Sequence, residues 1–472
     1  MNKSMRQNQN KNPESKGIMA KSIIQDLTVG SVPKKLVRFA LPFMFSTLLQ
    51  TAYSMVDMMV VGQFVGSKGL SAVSIASQLM WLTTALCMGF TNAGQIIISQ
   101  IIGAGRRQDL KKTIGTVTTT IIIAAVFIMT LGLCLTVPIL RALSTPEESF
   151  GEAVRYLRIA FLGTIFTFGY NLVSAVLRGM GDSRHPLIFV AISAGANLIL
   201  DLIAVALLHW GAAGAALATV LGQGISLVIS LRYLYGRREE IGFDFKLASL
   251  KPDGATLRKL IRLGIPFALQ HAAISISMLF VTRFINTYGL TASSTFGTGT
   301  KIEQIPWIVV NGVMVACATM VGQNMGAGKQ DRMKQTVRIS AFICAGTAVV
   351  FVALFLLIPR ELYSLFTSDP DVLDMAPMFM LALAISTPAT TMMCPYQAFI
   401  EGIGNAALTM VIALLDGFVS RIAISLFLAY VCRLGLMGWF LGYGLAAYVN
   451  TILSVIYYYG GFWKKRVSLA SV

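Results

Sequence analysis

Two aspartates stand inside long apolar stretches of this chain, where a charge has no ordinary reason to be. Asp57 lies in Tyr53-Ser54-Met55-Val56-Asp57-Met58-Met59-Val60-Val61, and Asp201 closes Asn197-Leu198-Ile199-Leu200-Asp201. An ionisable side chain within a membrane-spanning segment is costly and marks function by default. Asn197 and Asp201 are four apart and share one helix face. Asp57 falls about one and a half helical turns before the outer end of its span, and Asp201 about two turns before its own. The next helix runs back inward and places Thr219 at a comparable depth. Three helices thus present two carboxylates, an amide and a hydroxyl at one level. That set suits a hard cation such as Na⁺. It equally suits a shared proton, because two close carboxylates in a dry setting favour protonation of one. The plain alternative is a group of buried polar side chains that satisfy one another.

Gln50, Tyr53, Ser54 and Asp57 recur at three- and four-residue steps, a polar stripe on an otherwise apolar helix. Asn171 and Ser174 give the fourth span a weaker stripe. Both stripes fit either substrate contacts in a cavity or hydrogen bonds between helices. In the second half, Arg283, Glu303, Asp416 and Arg421 fall in or near spans. Their opposite signs favour internal ion pairs over substrate binding. There is no Gly-x4-Gly-Lys-Ser/Thr phosphate loop, so no ATP motor is expected on this chain. His185, His209 and His271 are far apart and show no metal-ligand spacing, and no catalytic triad is visible. The reading is of a protein that is not an enzyme and carries no cofactor beyond a coupling ion. The six cysteines are scattered without paired spacing and read as packing residues. The 23 methionines and 27 phenylalanines would suit a promiscuous apolar pocket, and equally lipid contact.

The elements that must position these residues are long helices. Hydrophobic residues make up 55% of the 472 and charged residues 12%, which excludes an ordinary soluble domain. Apolar runs near 36–61, 70–101, 113–140, 153–177, 186–208, 213–235, 260–286, 293–324, 337–358, 375–400, 407–431 and 437–461 are each long enough to span a bilayer. They are too long and continuous for the strands of a barrel. The net charge of +17 is concentrated in connections: Gly105 to Lys112, Arg178 to Arg184, Arg232 to Arg262, Lys329 to Arg338 and Lys464-Lys465-Arg466. Alternating with shorter or acidic connections, this is the positive-inside pattern, and it places both termini in the cytoplasm of a multi-pass protein of the cell membrane. Residues 1–32, with Lys3, Arg6, Lys11, Lys16 and Lys21, read as a disordered cytoplasmic tail touching anionic lipid rather than a signal peptide. The division is then a first lobe at 33–235, a cytoplasmic linker at 236–258, a second lobe at 259–462 and a short tail at 463–472.

The halves repeat. Leu36 to Pro42 returns as Leu260 to Pro266, Gln100 to Gly105 as Gln323 to Gly328, and Arg178 to Asp182 as Glu401 to Asn405. Six spans per half insert both halves in one orientation, a parallel repeat about the membrane normal. By this offset Asp57 matches Val281, and Asn197 and Asp201 match positions near Ser420 and Ile424. The acidic site is expected once, in the first lobe. Pro42 and Pro266 fall early in the first helix of each half, as ordinary kinks or as working bends.

In this order, Leu36 to Pro42, Met55-Val56-Asp57, Gln100 to Gly105, Leu177 to Asp182, and Asn197 to Asp201 followed by Gly214 to Thr219, the motifs resemble the multidrug and toxic compound extrusion (MATE) family over about residues 30–460. The resemblance implies an all-α integral membrane fold, twelve transmembrane helices in two pseudo-symmetric six-helix bundles around a V-shaped cavity. It implies a secondary transporter that exports bulky, often cationic drugs by antiport against H⁺ or Na⁺, working as a monomer. In the DinF-like branch the coupling site uses an Asp on helix one, an Asn and Asp four apart on helix five and a Thr on helix six. Asp57, Asn197, Asp201 and Thr219 match these, and Tyr156 corresponds to a helix-four tyrosine of that network. Gln50 and Asn171 match positions lining the cavity. The NorM-like branch uses a Glu within helix seven, and Ala268 to Met278 contains no acid. The rival readings are a lipid-linked oligosaccharide flippase of the same superfamily and an uncoupled channel or receptor.

Overall fold

The computed structural model describes residues 22–143 and 145–471, and among these there is no strand. The first lobe holds α1 (Val32–Phe64), α2 (Gly66–Gly103), α3 (Gln108–Ala142), α4 (Glu147–Leu162), α5 (Thr164–Gly179), α6 (Arg184–Asp201) and α7 (Gly211–Gly236). A short α8 (Arg238–Ile241) lies in the connection. The second lobe holds α9 (Gly254–Asn286), α10 (Leu290–Gly326), α11 (Gln330–Leu357), α12 (Pro359–Ser364), α13 (Pro370–Gly402), α14 (Ala406–Leu414), α15 (Ile422–Leu426) and α16 (Gly435–Tyr459). Eleven segments are long and apolar enough to cross a membrane, and the bent pair α4–α5 makes twelve. Phe127, Leu207, Leu279 and Phe342 project outward from their helices, as side chains facing lipid do. The protein is an all-α, multi-pass membrane protein.

The fourth span, read as one helix, is broken by 45° at Gly163. A Cβ there would sit 2.2 Å from Val220 Cγ2 of α7, so the backbone of the bend packs directly on its neighbour. The bend puts Tyr156 on one arm and Asn171 and Ser174 on the other. The fifth and eleventh spans are not uniform α-helix either. Leu202–Leu207, Leu415–Arg421 and Phe427–Val431 are π-helical, a form used in short pieces and often at functional sites.

The repeat is written into the backbone. Gly66, Gly105 and Gly181 have positive φ, and so do Gly289, Gly328 and Gly404, each 223 residues on. The N–H of Arg106 bonds to Ile101 O, and that of Lys329 to Asn324 O. Each lobe also lends its first helix to the other: α1 packs on α6 and on α10, and α9 packs on α14 and on α2.

Both ends of the described chain, residues 22–31 and 463–471, lie on one face. Ile23, Ile24 and Leu27 are buried there, as are Trp463 and Ala470. The expected disordered tail is therefore docked from residue 22 onward, held where Ile23 N–H donates to Glu240 (2.7 Å) and Gln25 N–H to Met180 O (2.9 Å). Lys3, Arg6, Lys11, Lys16 and Lys21 lie outside the described residues. The connection between lobes docks as well. Lys111 pairs with Asp244 at 2.8 Å, and Asp253 caps α9 while its own N–H bonds to Thr116 of α3.

Candidate functional site

α1, α4, α6 and α7 bring the first-lobe residues together. Asp201 and Asn197 are buried on one face of α6, Tyr156 is buried on α4, and Asp57 is half-buried on α1. The Asp57 and Asp201 carboxyls face each other closely enough to interact, and the Tyr156 ring lies beside them. Asn197 Nδ2 donates to Thr219 Oγ1 at 3.3 Å, which ties α6 to α7 at this level. Oδ1 of Asp57 and Oδ1 of Asp201 are buried with no hydrogen-bond partner among the described residues. Unpartnered carboxylate oxygens in an interior are unstable unless a proton or a cation completes them. The set is rich in oxygen acceptors, two of them carboxylates, which fits a hard monovalent cation or a proton.

Local structure makes this arrangement possible. Gly222 of α7 lies against α6, where a Cβ would come 3.1 Å from Ser193 O and 3.2 Å from Asn197 Cβ. The π-helical turn begins at the residue after Asp201, and His209 closes the span with a left-handed φ of 53°. Two participants were not singled out from the sequence. Ser77 of α2 lies beside Tyr156, and Gln223 of α7 lies beside Tyr53, its own Oε1 buried and unpartnered among the described residues. Gln223 is one turn past Thr219, and that spacing was the available signal.

Of the stripe, Gln50 and Ser54 are exposed, and Tyr53 is partly covered. Asn171 is partly covered and its amide bonds back to Thr167 O at 2.9 Å, while Ser174 is buried.

The second lobe collects three of its four candidates. Arg421 Nη2 lies 3.4 Å from Asp416 Oδ1, Asn450 Nδ2 donates to Asp416 Oδ2 at 3.3 Å, and the Tyr443 hydroxyl donates to Glu303 Oε2 at 2.7 Å. The Arg421 guanidinium stands 5.2 Å from the Tyr443 ring centre. Arg283 is not part of this group. It is exposed near the end of α9 and forms no ion pair among the described residues.

The repeat offset needs correction here. His209 and Gly211 have left-handed φ, and so do Arg433 and Gly435, now 224 residues on. Leu208 N–H bonds Ile203 O and Trp210 N–H bonds Ala204 O; Cys432 N–H bonds Phe427 O and Leu434 N–H bonds Leu428 O. One residue is gained between Gly404 and Phe427, and the additional π stretch at Leu415–Arg421 accommodates it. From the end of that stretch onward, Asn197 corresponds to Arg421 rather than Ser420, Asp201 to Ser425 rather than Ile424, and Thr219 to Tyr443.

The comparisons with known proteins agree with this architecture. The MatE family profile matches residues 42–203 and 266–431, one stretch in each lobe. The chain is 28% identical over 440 residues to the probable multidrug resistance protein YpnP of Bacillus subtilis, covering 93% of this chain and 97% of that one. It is 24% identical over 445 residues to the probable multidrug resistance protein NorM of Thermotoga maritima, covering 93% and 95%. Among solved structures, a MATE protein in a bent conformation superposes with a TM-score of 0.88 at 22% identity over 96% of this chain and 98% of that one. An outward-facing multidrug resistance MATE transporter superposes at 0.86, with 22% identity over 93% and 97%. The twelve spans, the doubled fold and a profile match in both halves lead to one conclusion: this chain belongs to the MatE family of membrane transporters.

Proposed function

We propose that this protein exports bulky, apolar, often cationic small molecules from the cell by antiport against H⁺ or Na⁺. The observation that carries the reading is the facing pair Asp57 and Asp201, each with a buried, unpartnered oxygen, on two helices that belong to one lobe. A cation entering from outside neutralises the pair and draws α1 toward α6. Substrate and cation then compete for one state of the first lobe, which is the requirement for exchange. The relatives named for multidrug resistance support the substrate class.

In this reading the face carrying both termini is cytoplasmic. The lobes meet there through Gln100 and Gln323, and alternating access requires that contact to break. Pro42 lies within α1, where Ser46 Oγ bonds back to its carbonyl at 3.0 Å, and supplies a place for the helix to bend. The transporter works as a monomer in the cell membrane with no ATPase subunit.

The test is efflux of a fluorescent cationic dye from proteoliposomes under a pH gradient and a Na⁺ gradient imposed separately. Efflux driven by one gradient and lost in Asp57→Asn supports the reading and identifies the ion. Dye movement that ignores both gradients refutes antiport. No dye movement at all moves the assignment to a flippase-type substrate.

A further inference from the structure

The corrected offset has a chemical consequence in the second lobe. In the first lobe, the α6–α7 tie is Asn197 to Thr219 at 3.3 Å, beside two acids. At the corresponding place in the second lobe stand Arg421 and Tyr443, also in contact and also beside two acids, Asp416 and Glu303. The inserted residue at Leu415–Arg421 shifts the helix register by one residue at this point. Arg421 is 8% exposed and Asp416 3% exposed. Arg421 Nε is buried and has no hydrogen-bond partner among the described residues.

We infer that this cluster is the second lobe's own cation site, permanently occupied by the Arg421 guanidinium as a tethered cation. The physical case rests on charge. A buried Asp416 and a partly covered Glu303 without a counter-ion are strongly unfavourable in a membrane interior, and a fixed guanidinium neutralises one of them. It also meets the ring of Tyr443 as a free organic cation would. Asn450 supplies a hydrogen bond to the second oxygen of Asp416, and Tyr443 one to Oε2 of Glu303. The ligand class is therefore a planar, multiply donating monovalent cation, and the chain provides it. A site filled covalently does not exchange with solution, so the second lobe keeps a fixed charge state while the first lobe cycles. That last step rests on the antiport reading above; the occupancy of the site by Arg421 does not.

The test is chemical rescue. Purified full-length Arg421→Ala is titrated with millimolar guanidinium, with matched KCl as the control, and thermal unfolding is followed. The expected result is a saturable rise in the variant's melting temperature, no rise in the wild type, and no rise in Arg421→Ala combined with Asp416→Asn. Transport by Arg421→Ala is expected to fall at least tenfold and to recover several-fold with guanidinium. A variant that ignores guanidinium, or a wild type that responds equally, overturns the inference. Should Arg421→Ala not fold, Arg421→Lys and Arg421→Gln decide. Lys keeps the charge but not the planar fork, and is expected to transport below wild type yet several-fold above Gln. Equal behaviour of the two overturns the inference. The thermal readout is independent of transport: a guanidinium response in Arg421→Ala, found alongside wild-type dye movement that ignores both ion gradients, would remove the antiport reading and leave this one standing.

Discussion

Gln100 and Gln323 make the same cross-lobe hydrogen bond in opposite directions. Gln100 Nε2 donates to Gly402 O at 2.8 Å, and Gln323 Nε2 donates to Gly179 O at 3.5 Å. Each glutamine also receives a chain end. Leu27 N–H donates to Gln323 Oε1 at 2.8 Å, and Leu469 N–H donates to Gln100 Oε1 at 2.7 Å. The repeated Gln-x-x-Gly is thus a two-fold clasp, with the two termini as its outer layer.

Replacing Gln323 with Ala should loosen this face. It strands the Leu27 N–H and the Gly179 carbonyl, and an unsatisfied buried group costs about 1–3 kcal/mol. Spin labels at Asp109 and Asp331, on the α3 and α11 ends of the two lobes, should report a longer and broader distance distribution. Unchanged distances with an unchanged melting temperature would argue that the clasp is incidental.

The glycines of the same motif set how closely the lobes approach. A Cβ at Gly103 would lie 1.8 Å from Gln323 O, and one at Gly326 2.0 Å from Gln100 O. Neither contact can be relieved by turning a side chain, because the partner is backbone. Gly326→Ala should fold as two intact lobes but lose at least tenfold in export activity, with the same distance measurement showing incomplete closure. Full export in this variant would show that closure does not need this approach.

At the first-lobe site, Gly222→Ala should act through position rather than chemistry. The added methyl pushes α7 away from Ser193 and Asn197 and lengthens the Asn197–Thr219 bond. Half-maximal driving-ion concentration in the efflux assay should rise several-fold, with maximal rate less affected. A fall in maximal rate alone would instead indicate a packing defect.

How much of this was readable in advance follows from the kind of signal each feature leaves. Asp57, Asn197, Asp201 and Thr219 were visible because charge and amide groups stand out in apolar sequence, and helical spacing says which of them share a face. The twelve spans were visible for the same reason. Three things were not. The break at Gly163 depends on Val220 approaching from another helix, which no local pattern encodes. The one-residue gain before Arg421 is invisible to a constant offset, because the flanking turns sit 223 residues apart before it and 224 after it. The docked residues 22–31 carry apolar Ile23, Ile24 and Leu27, but in a run too short to read as a span, and their hydrogen bonds go through backbone groups to Gln323 and Glu240.

Acid should release the N-terminal segment. Burial raises the pKa of Glu240, but hydrogen bonds from the Ser22 hydroxyl and the Ile23 and Ile24 N–H groups, with Arg237 nearby, outweigh it and hold the carboxyl below its usual 4.5. A carboxylate depressed in the folded state stabilises above its unfolded pKa, and that contribution is lost as pH falls through the folded value. Asp26, lowered chiefly by Thr28 against the effect of burial, adds in the same direction. A spin label at Val29 should gain mobility as pH drops below about 4.5, and Glu240→Gln should raise mobility at neutral pH and flatten the response. A label indifferent to pH in the wild type would exclude Glu240 as the anchor.

The central claim is that Asp57 and Asp201 hold the ion that substrate displaces. The direct measurement is the ion released when a cationic substrate is added to purified protein, read as protons in weakly buffered solution and as displaced ²²Na⁺ in parallel. The account predicts saturable release of one of these ions from the wild type and none from Asp57→Asn or Asp201→Asn, with all three proteins folded. Release that is unchanged in either variant would contradict it.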